Sequence, residues 1–249
     1  MQFSKIDSTF ILSRSELKAI IAHASTDDTR AHLNGVGFDV ANGCAVATDG
    51  HRLAVLREEL CVIGAPFEAD TKVTIVRLAT LERAAKMIPR GGSLRVQVTS
   101  PITATLTALE KSGAPGAVLN AEMSDSRDRF PPYVVILPAA VEFGAFPLPT
   151  RVGFNANYLA DLALVQAAAN EAAGKPKTLI GMDVQFPSTA LDPMRVTCRS
   201  WLVVITAVCI DNGRGDFTPG ERRARDAWPQ LVRNETAASE AAPKGEPLQ

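Results

Sequence analysis

The chain has 249 residues, 46% hydrophobic and 21% charged, with a formal net charge of −1. That composition belongs to an ordinary globular protein large enough for one big or two small domains, and its near-neutral charge gives no global drive toward nucleic acid or membrane, so any such case rests on local charge. The four cysteines, Cys44, Cys61, Cys198 and Cys209, lack metal-ligand spacing, and three lie in apolar strand-like runs, as small buried hydrophobes of a reducing compartment do.

The start MQFSKIDSTF has no apolar run behind a basic start, unlike a signal peptide, and no apolar stretch approaches the ~20 residues of a membrane-spanning helix. A cytoplasmic location with no membrane partner is expected. In chain order, Thr9 to Leu12 is a short apolar strand. Ser13 with Glu16 three residues on makes a capping box, and Leu17, Ile20, Ile21 and Ala24 form the apolar face of the helix that follows, with Arg14 and Lys18 on another face. Three strands come next. Leu33 to Val40 ends at Asn42-Gly43, Cys44 to Thr48 ends at Asp49-Gly50, and His51 to Leu56 alternates as a half-buried strand does.

A second unit repeats that order. Val73 to Val76 is a strand. Leu78, Leu81, Ala85 and Ile88 make a helical stripe stopped by Pro89 and Gly91-Gly92, with Arg83, Lys86 and Arg90 on the opposite side. Strands are predicted over Leu94 to Val98, Ile102 to Leu106 and Val118 to Met123. In DRFPPYVVILP, Asp128 to Pro138, the pair Pro131-Pro132 excludes a central strand and demands an extended link. Pro147 and Pro149 punctuate a domain boundary near Phe143 to Thr150.

A third unit starts at Arg151, with a short strand at Val152 to Phe154. A helix over Tyr158 to Ala172 follows, capped by Asn155 or Asn157, with Leu159, Leu162, Ala163 and Val165 as its apolar face. Gly174 and Pro176 end it. Strands follow at Leu179 to Phe186, Met194 to Cys198 and Trp201 to Val208. A unit recurring every 65–75 residues, roughly, is the main organisational feature. Beyond Asn212 the chain is polar and rich in Gly, Pro, Ala and charge, a composition that cannot bury enough apolar area to order itself. Glu221 to Val232 is a candidate short helix there, and the RGD at Arg214 to Asp216 is a chance tripeptide.

LNGVGF followed by ATDGHRLAV resembles the middle domain of the bacterial DNA polymerase III β subunit, the sliding clamp. VTIVRLATLERAAKMIPRGGSLRVQV resembles the second half of that domain, and DRFPPYVVILP its closing segment. VGFNANYLADL and SWLVVITAV resemble the second half of the clamp's C-terminal domain. Together these blocks touch most of residues 9–210. The clamp's N-terminal domain and the first half of its C-terminal domain have no counterpart. The resemblance therefore implies an α+β DNA-clamp fold built from repeated β-α-β-β-β half-domains: a complete domain over 7–142, a half domain over 148–212, and a flexible tail over 213–249. Clamp rings close from two subunits of three domains, so four copies of three half-domains would supply the same number, which makes a homo-oligomer the expectation.

The resemblance also implies a hydrophobic cleft that captures clamp-binding-motif peptides of polymerases and repair proteins. Its residues map onto Leu33, Thr48, Gly50, His51, Arg52, Leu53, Pro131, Ile136, Asn155, Tyr158, Val203 and Ile205, a set of apolar walls with a few polar groups. The competing reading is that Leu33, Leu53, Val203 and Ile205 are strand core. Thr206, Val208 and Val135 stand where the family has a proline and two basic residues. For double-stranded DNA the candidates are Arg14, Lys18, Arg83, Lys86 and Arg90, making phosphate contacts without sequence preference, against the reading that they are solvated helix faces. The third helix carries no Lys or Arg but has Asp161 and Glu171.

His51 beside Asp49 invites an acid–base reading, but a turn aspartate capping backbone N–H groups accounts for it better. His23 and His32 stand in no metal-ligand spacing. No phosphate loop, dinucleotide fingerprint or nucleophile elbow is present, so neither enzyme activity nor a cofactor is expected. Gln230-Leu231-Val232 has the Gln-Leu start of a clamp-binding peptide without its aromatic anchor. The expected function is a processivity clamp of DNA replication. A peptide-binding regulator that never encircles DNA and a purely structural clamp fragment are the alternatives.

Overall fold

The Ser13 capping box forms as expected. In the computed structural model, which describes residues 8–57, 72–100, 103–122, 129–137, 153–174, 181–186 and 193–206, the Glu16 amide donates to Ser13 Oγ at 3.2 Å and the Ser13 amide donates to Glu16 Oε2 at 2.8 Å. Two orphan donors of helix α1 (Arg14–Ile21) are thus satisfied reciprocally. Leu17 and Ile20 are buried, as the stripe predicts, with Ala19 beside them.

The first two units interlock by exchanging their opening strands. Strand β1 (Ser8–Ser13) does not join β2 (Gly35–Asp39), β3 (Cys44–Thr48) and β4 (Arg52–Arg57) of its own unit. It pairs antiparallel with β6 (Ser93–Ser100), at the edge of a four-stranded sheet completed by β7 (Thr103–Leu109) and β8 (Pro115–Glu122). Reciprocally β5 (Val73–Arg77), which opens the second unit, pairs with β2. The exchange leaves each unit with an apolar face it cannot cover alone. Helices α1 and α2 (Leu78–Met87) fill the angle between the sheets, touching each other and strands of both.

The third unit adds helix α3 (Ala156–Ala172) and strands β9 (Asp183–Gln185), β10 (Met194–Cys198) and β11 (Trp201–Ile205). Strand β11 pairs with β4 over five consecutive positions, Trp201 opposite Leu56 through Ile205 opposite Arg52. The result is one seven-stranded sheet, β5-β2-β3-β4-β11-β10-β9, built from the first and third units with β5 contributed by the second. Helix α3 lies beside α1 and over β10 and β11.

Several expectations need adjustment. The face of α3 that is buried is Val165, Ala168, Ala169 and Asn170, while Leu159 is 40% exposed and Ala163 is exposed. The helix is apolar nearly all round, so its pattern selects no face, and its contact with α1 decides. In α2 the buried alanine is Ala84, and Ala85 is half-buried. Leu33 and Asn34 precede β2 in a turn. Of the predicted strand at 152–154, residues 153 and 154 are described, and Gly153 forms a single bridge there. The loop before β3 spans four residues, 40–43, of which Gly43 alone has positive φ, at 59°. The expected domain boundary near 143–150, the tail, Cys61 and Cys209 lie outside the described residues.

Around β2, β3, β4 and β11 the sheet is apolar on both faces, which is why β2 and β3 are buried at every position. The helices cover one face, with Val36, Phe38, Ala45, Ala47, Ala54, Val203 and Ile205 beneath them. The other face, with Cys44, Val46, Leu53, Val55, Leu202 and Val204, is covered by the Pro-rich link, whose Phe130 and Tyr133 are buried on it. After Pro131-Pro132 the link tightens into a 3-10 turn, Tyr133–Ile136.

A buried polar chain pins that link. Tyr133 Oη donates to Asp39 Oδ2 at 2.8 Å, and Cys44 Sγ lies 3.1 Å from the same hydroxyl. The one phenolic proton goes to the carboxylate, so the thiol donates to the phenol. Burial pushes the Cys44 thiol up to about 12, keeping it protonated for that role. Asn42 Nδ2 donates to Asp39 Oδ2 at 2.8 Å, and its amide to Oδ1 at 3.1 Å.

Tyr133→Phe deletes the hydroxyl and removes one donor from a fully buried carboxylate. We expect a loss of about 1–3 kcal/mol, read in urea as a lower midpoint at unchanged slope.

Candidate functional site

The turn between β3 and β4 is built by its own side chains. Asp49 Oδ1 accepts the amides of His51 at 2.8 Å and Arg52 at 3.0 Å, the capping role read from the sequence. Thr48 Oγ1 donates to the Arg52 carbonyl at 2.6 Å and accepts the Gly50 amide at 3.1 Å. Gly50 sits at φ 92°, where a Cβ is strained. The turn therefore presents His51 and Arg52 in fixed positions at the end of the sheet.

Arg52 gathers three elements around one guanidinium. Its Nε donates to Asp49 Oδ2 at 3.0 Å, its Nη1 to Asp161 Oδ2 on α3, and its Nη2 to the Ala22 carbonyl at the end of α1 at 2.6 Å. Its Cζ stands 4.6 Å from the centre of the Tyr158 ring, a cation–π contact. The side chain is 10% exposed. Asn155 caps α3 by accepting the Asn157 amide at 3.0 Å. The Tyr158 ring stacks near His51 with centroids 6.4 Å apart, and burial raises the Tyr158 phenol above its ordinary value. The third unit closes the loop, because both the amide and the hydroxyl of Thr206 donate to the His51 carbonyl, at 2.9 and 2.7 Å.

Beneath this cluster lies His23, fully buried. Its Nδ1 is 2.8 Å from the Ala19 carbonyl and so carries the proton, and its Nε2 has no partner. Burial lowers its basicity most, the Ala19 bond opposes that, and Arg52 lowers it further against the raising effects of Asp161 and Asp49.

The predicted cleft residues fall into three groups. Gly50, His51, Arg52, Asn155 and Tyr158, from sequence blocks about a hundred residues apart, come together at the end of the sheet. Thr48 and Leu53 face the link side, where Ile136 packs against the same cluster and Pro131 is half-buried in the link. Val203 and Ile205 face the helix side with Tyr158 and Leu162. The sheet stands between the second and third groups. Leu53, Val203 and Ile205 are at most 1% exposed and serve as core in this conformation. Leu33 is buried in the loop between α1 and β2, outside both apolar clusters. Val135 is 54% exposed on the link.

The proposed DNA contacts, Arg14 and Lys18 on α1 and Arg83 and Lys86 on α2 with Arg90 just beyond it, are all exposed. Asp161, by contrast, was read only as an acidic residue of α3. Its spacing of three from Tyr158 places both on the side facing the turn, and that was the available signal. Among the described residues no group of His, Cys, Asp or Glu has metal-site geometry, and no helix is long and apolar enough to cross a membrane.

Interlocked β-α-β-β-β units joined edge to edge into one sheet, with helices on one side and a Pro-rich link on the other, define the fold of a DNA sliding clamp. No protein-family model matches the chain, and no curated protein matches it. Solved structures do. A DNA polymerase sliding clamp from Pseudomonas aeruginosa aligns at TM-score 0.53 and 16% identity, covering 84% of this chain and 68% of that one. The Caulobacter crescentus pol III beta aligns at 0.50 and 21% over 84% and 68%, and the Bacillus subtilis sliding clamp at 0.54 and 15% over 84% and 67%. At these identities what is shared is the fold.

Two outcomes test the cluster. Arg52→Ala strands two carboxylates and should lower stability by about 2–4 kcal/mol, whereas Arg14→Ala should change it by less than ~0.5 kcal/mol. His23 is neutral in the fold with its basicity lowered from the ordinary 6.5. The unfolded chain thus binds the extra proton first, and stability present above about pH 6.5 is lost as the pH falls from there toward the depressed folded value. The slope contributed is at most about 1.4 kcal/mol per pH unit. Chemical denaturation from pH 8 to 5 should show the decline, and His23→Gln should flatten it.

Proposed function

We propose that this protein is a clamp-like processivity factor of DNA replication that tethers polymerase or repair partners to DNA, a binding role without catalysis. The observation that supports it best is the convergence of His51 and Arg52 with Asn155 and Tyr158 at the end of the shared sheet. These two distant blocks of the proposed peptide cleft are held by an ion-paired guanidinium and a stacked ring pair. Partner peptides would lie along this rim, with Thr48, Leu53, Pro131 and Ile136 to one side and Val203 and Ile205 to the other. Leu33 belongs to the proposed set through the clamp resemblance alone. The proposal includes one complete clamp domain over 7–142, a half domain over 148–212 and a tail over 213–249.

On DNA, the exposed Arg14, Lys18, Arg83, Lys86 and Arg90 would meet phosphates from the helix side. Four copies would supply the half-domains of a ring. A second reading, a regulator that competes for clamp partners without encircling DNA, is favoured by α3, which offers no Lys or Arg to duplex.

Light scattering over a concentration series and retention on nicked circular duplex separate the two readings. A ring gives a discrete tetramer and a complex that is lost when the circle is linearised. Arg83→Glu with Lys86→Glu should weaken retention at least ~10-fold and reduce the salt slope by about two phosphate contacts. A monomer at every concentration that still binds Gln-Leu-type peptides sinks the ring and keeps the regulator. The absence of any peptide binding sinks both.

A further inference from the structure

Each of the first two units caps the first of its three strands with the opening strand of the other. Strand β5 lies on β2, and β1 lies on β6. Each opening strand runs directly into a helix, β1 into α1 and β5 into α2. The capped strands are covered as a result. Val36 and Phe38 in β2, and Leu94 and Val96 in β6, are fully buried in the core beneath the helices.

The third unit departs from that pattern. Its first strand, β9, is the outer edge of the seven-stranded sheet among the described residues. Val184 on β9 stands opposite Val196, and Val196 opposite Val203. Directly opposed residues of an antiparallel pair share a face, so Val184 lies on the helix side with Val203. It is nevertheless 38% exposed, and Phe186 two residues on is 45% exposed. Helix α3 turns Val165, Ala168 and Ala169 inward and leaves Leu159, Ala160, Ala163 and Ala167 exposed, a face without a charged side chain. The segment that opens this unit leads straight into α3, with Phe154 followed by the capping Asn155. An open strand edge beside uncovered apolar side chains is a template for another strand.

We propose that the third units of two copies complete one another, by the same exchange that joins the first two units within one chain. The inference rests on the homo-oligomer part of the reading above and names one of its interfaces. Under a two-fold axis, the segment ending at Phe154 of each copy lies on β9 of the other copy, antiparallel, as β5 lies on β2. The two copies of α3 then meet along their uncharged faces, as α1 meets α2. Val184 and Phe186 become covered, as Val36 and Phe38 already are. The contact is isologous and closes on itself. Two copies therefore hold three complete domains, and a ring of four copies holds two such pairs. Duplex DNA is a poor occupant of the same face, because α3 offers it no Lys or Arg.

The test is the solution mass of the full chain by light scattering over a concentration series. Wild type should be a dimer or a tetramer. Leu159→Lys with Val184→Lys should halve that mass, raising the dissociation constant at least ~10-fold. Far-ultraviolet circular dichroism should not change, because both side chains are exposed in a single copy. Ala163→Cys supplies a second readout that needs no loss of assembly. Air oxidation should join two copies through Cys at that position, identified by mass spectrometry, whereas Ser112→Cys in the exposed turn after β7 should give no such product. A wild-type oligomer whose mass survives the double substitution, with no cross-link at position 163, overturns this interface and leaves the ring reading intact. A monomer at every concentration overturns the interface and the ring together. If a Val184→Cys thiol in that monomer resists maleimide, a segment of the same chain is the occupant of the edge.

Discussion

The hydrogen-bonded seam between β4 and β11 is the constraint on which the rest of the structure depends. It joins segments about 150 residues apart in sequence, so it carries a large loop-closure entropy that local contacts do not. Once it forms, the third unit needs no sheet of its own. Trp201, Val203 and Ile205 are covered by joining the core of the first unit. Without the seam, β9 to β11 would be a three-stranded sheet, with α3 as its cover on one face only. The strand exchange between β1 and β5 plays the same part within the first two units. Pairing between units, in addition to pairing within them, is what joins the described strands of the three units.

The seam also explains why an arginine sits at its end. A guanidinium mostly withdrawn from water is costly unless its donors are met. Here they reach the turn, α3 and the Ala22 carbonyl at the end of α1, so each of the three elements satisfies part of what the others bury. Such a joint adds orientation more than stability, because two partly covered ion pairs recover little beyond their own desolvation. His23 marks how tight the joint is, since its Nε2 is enclosed without a partner beside the same charges.

The two faces of the shared sheet have different covers and so different chemistry. Helices laid on one face present Arg14, Lys18, Arg83 and Lys86 outward. The link on the opposite face is held by Tyr133, Asp39 and Cys44.

Much of this was legible in the chain. The capping box at Ser13, the turns at Gly43 and Gly50, the strand order repeated three times and the Asp49 cap are local events, decided by a few neighbouring residues. The Pro131-Pro132 break and the basic faces of α1 and α2 follow from local chemistry as well. Local pattern could not choose the buried face of α3, because its apolar residues surround the axis and only α1 selects among them. It also could not assign Leu53 to one face and Val203 to the other, or bring Arg52 to Asp161, since those facts depend on the register of strands from different units. The sequence by itself determined the units and their order, through periodicity, caps and turns. Only the tertiary structure decided the partners, because hydrogen-bond register across a sheet is settled by burial summed over the whole chain.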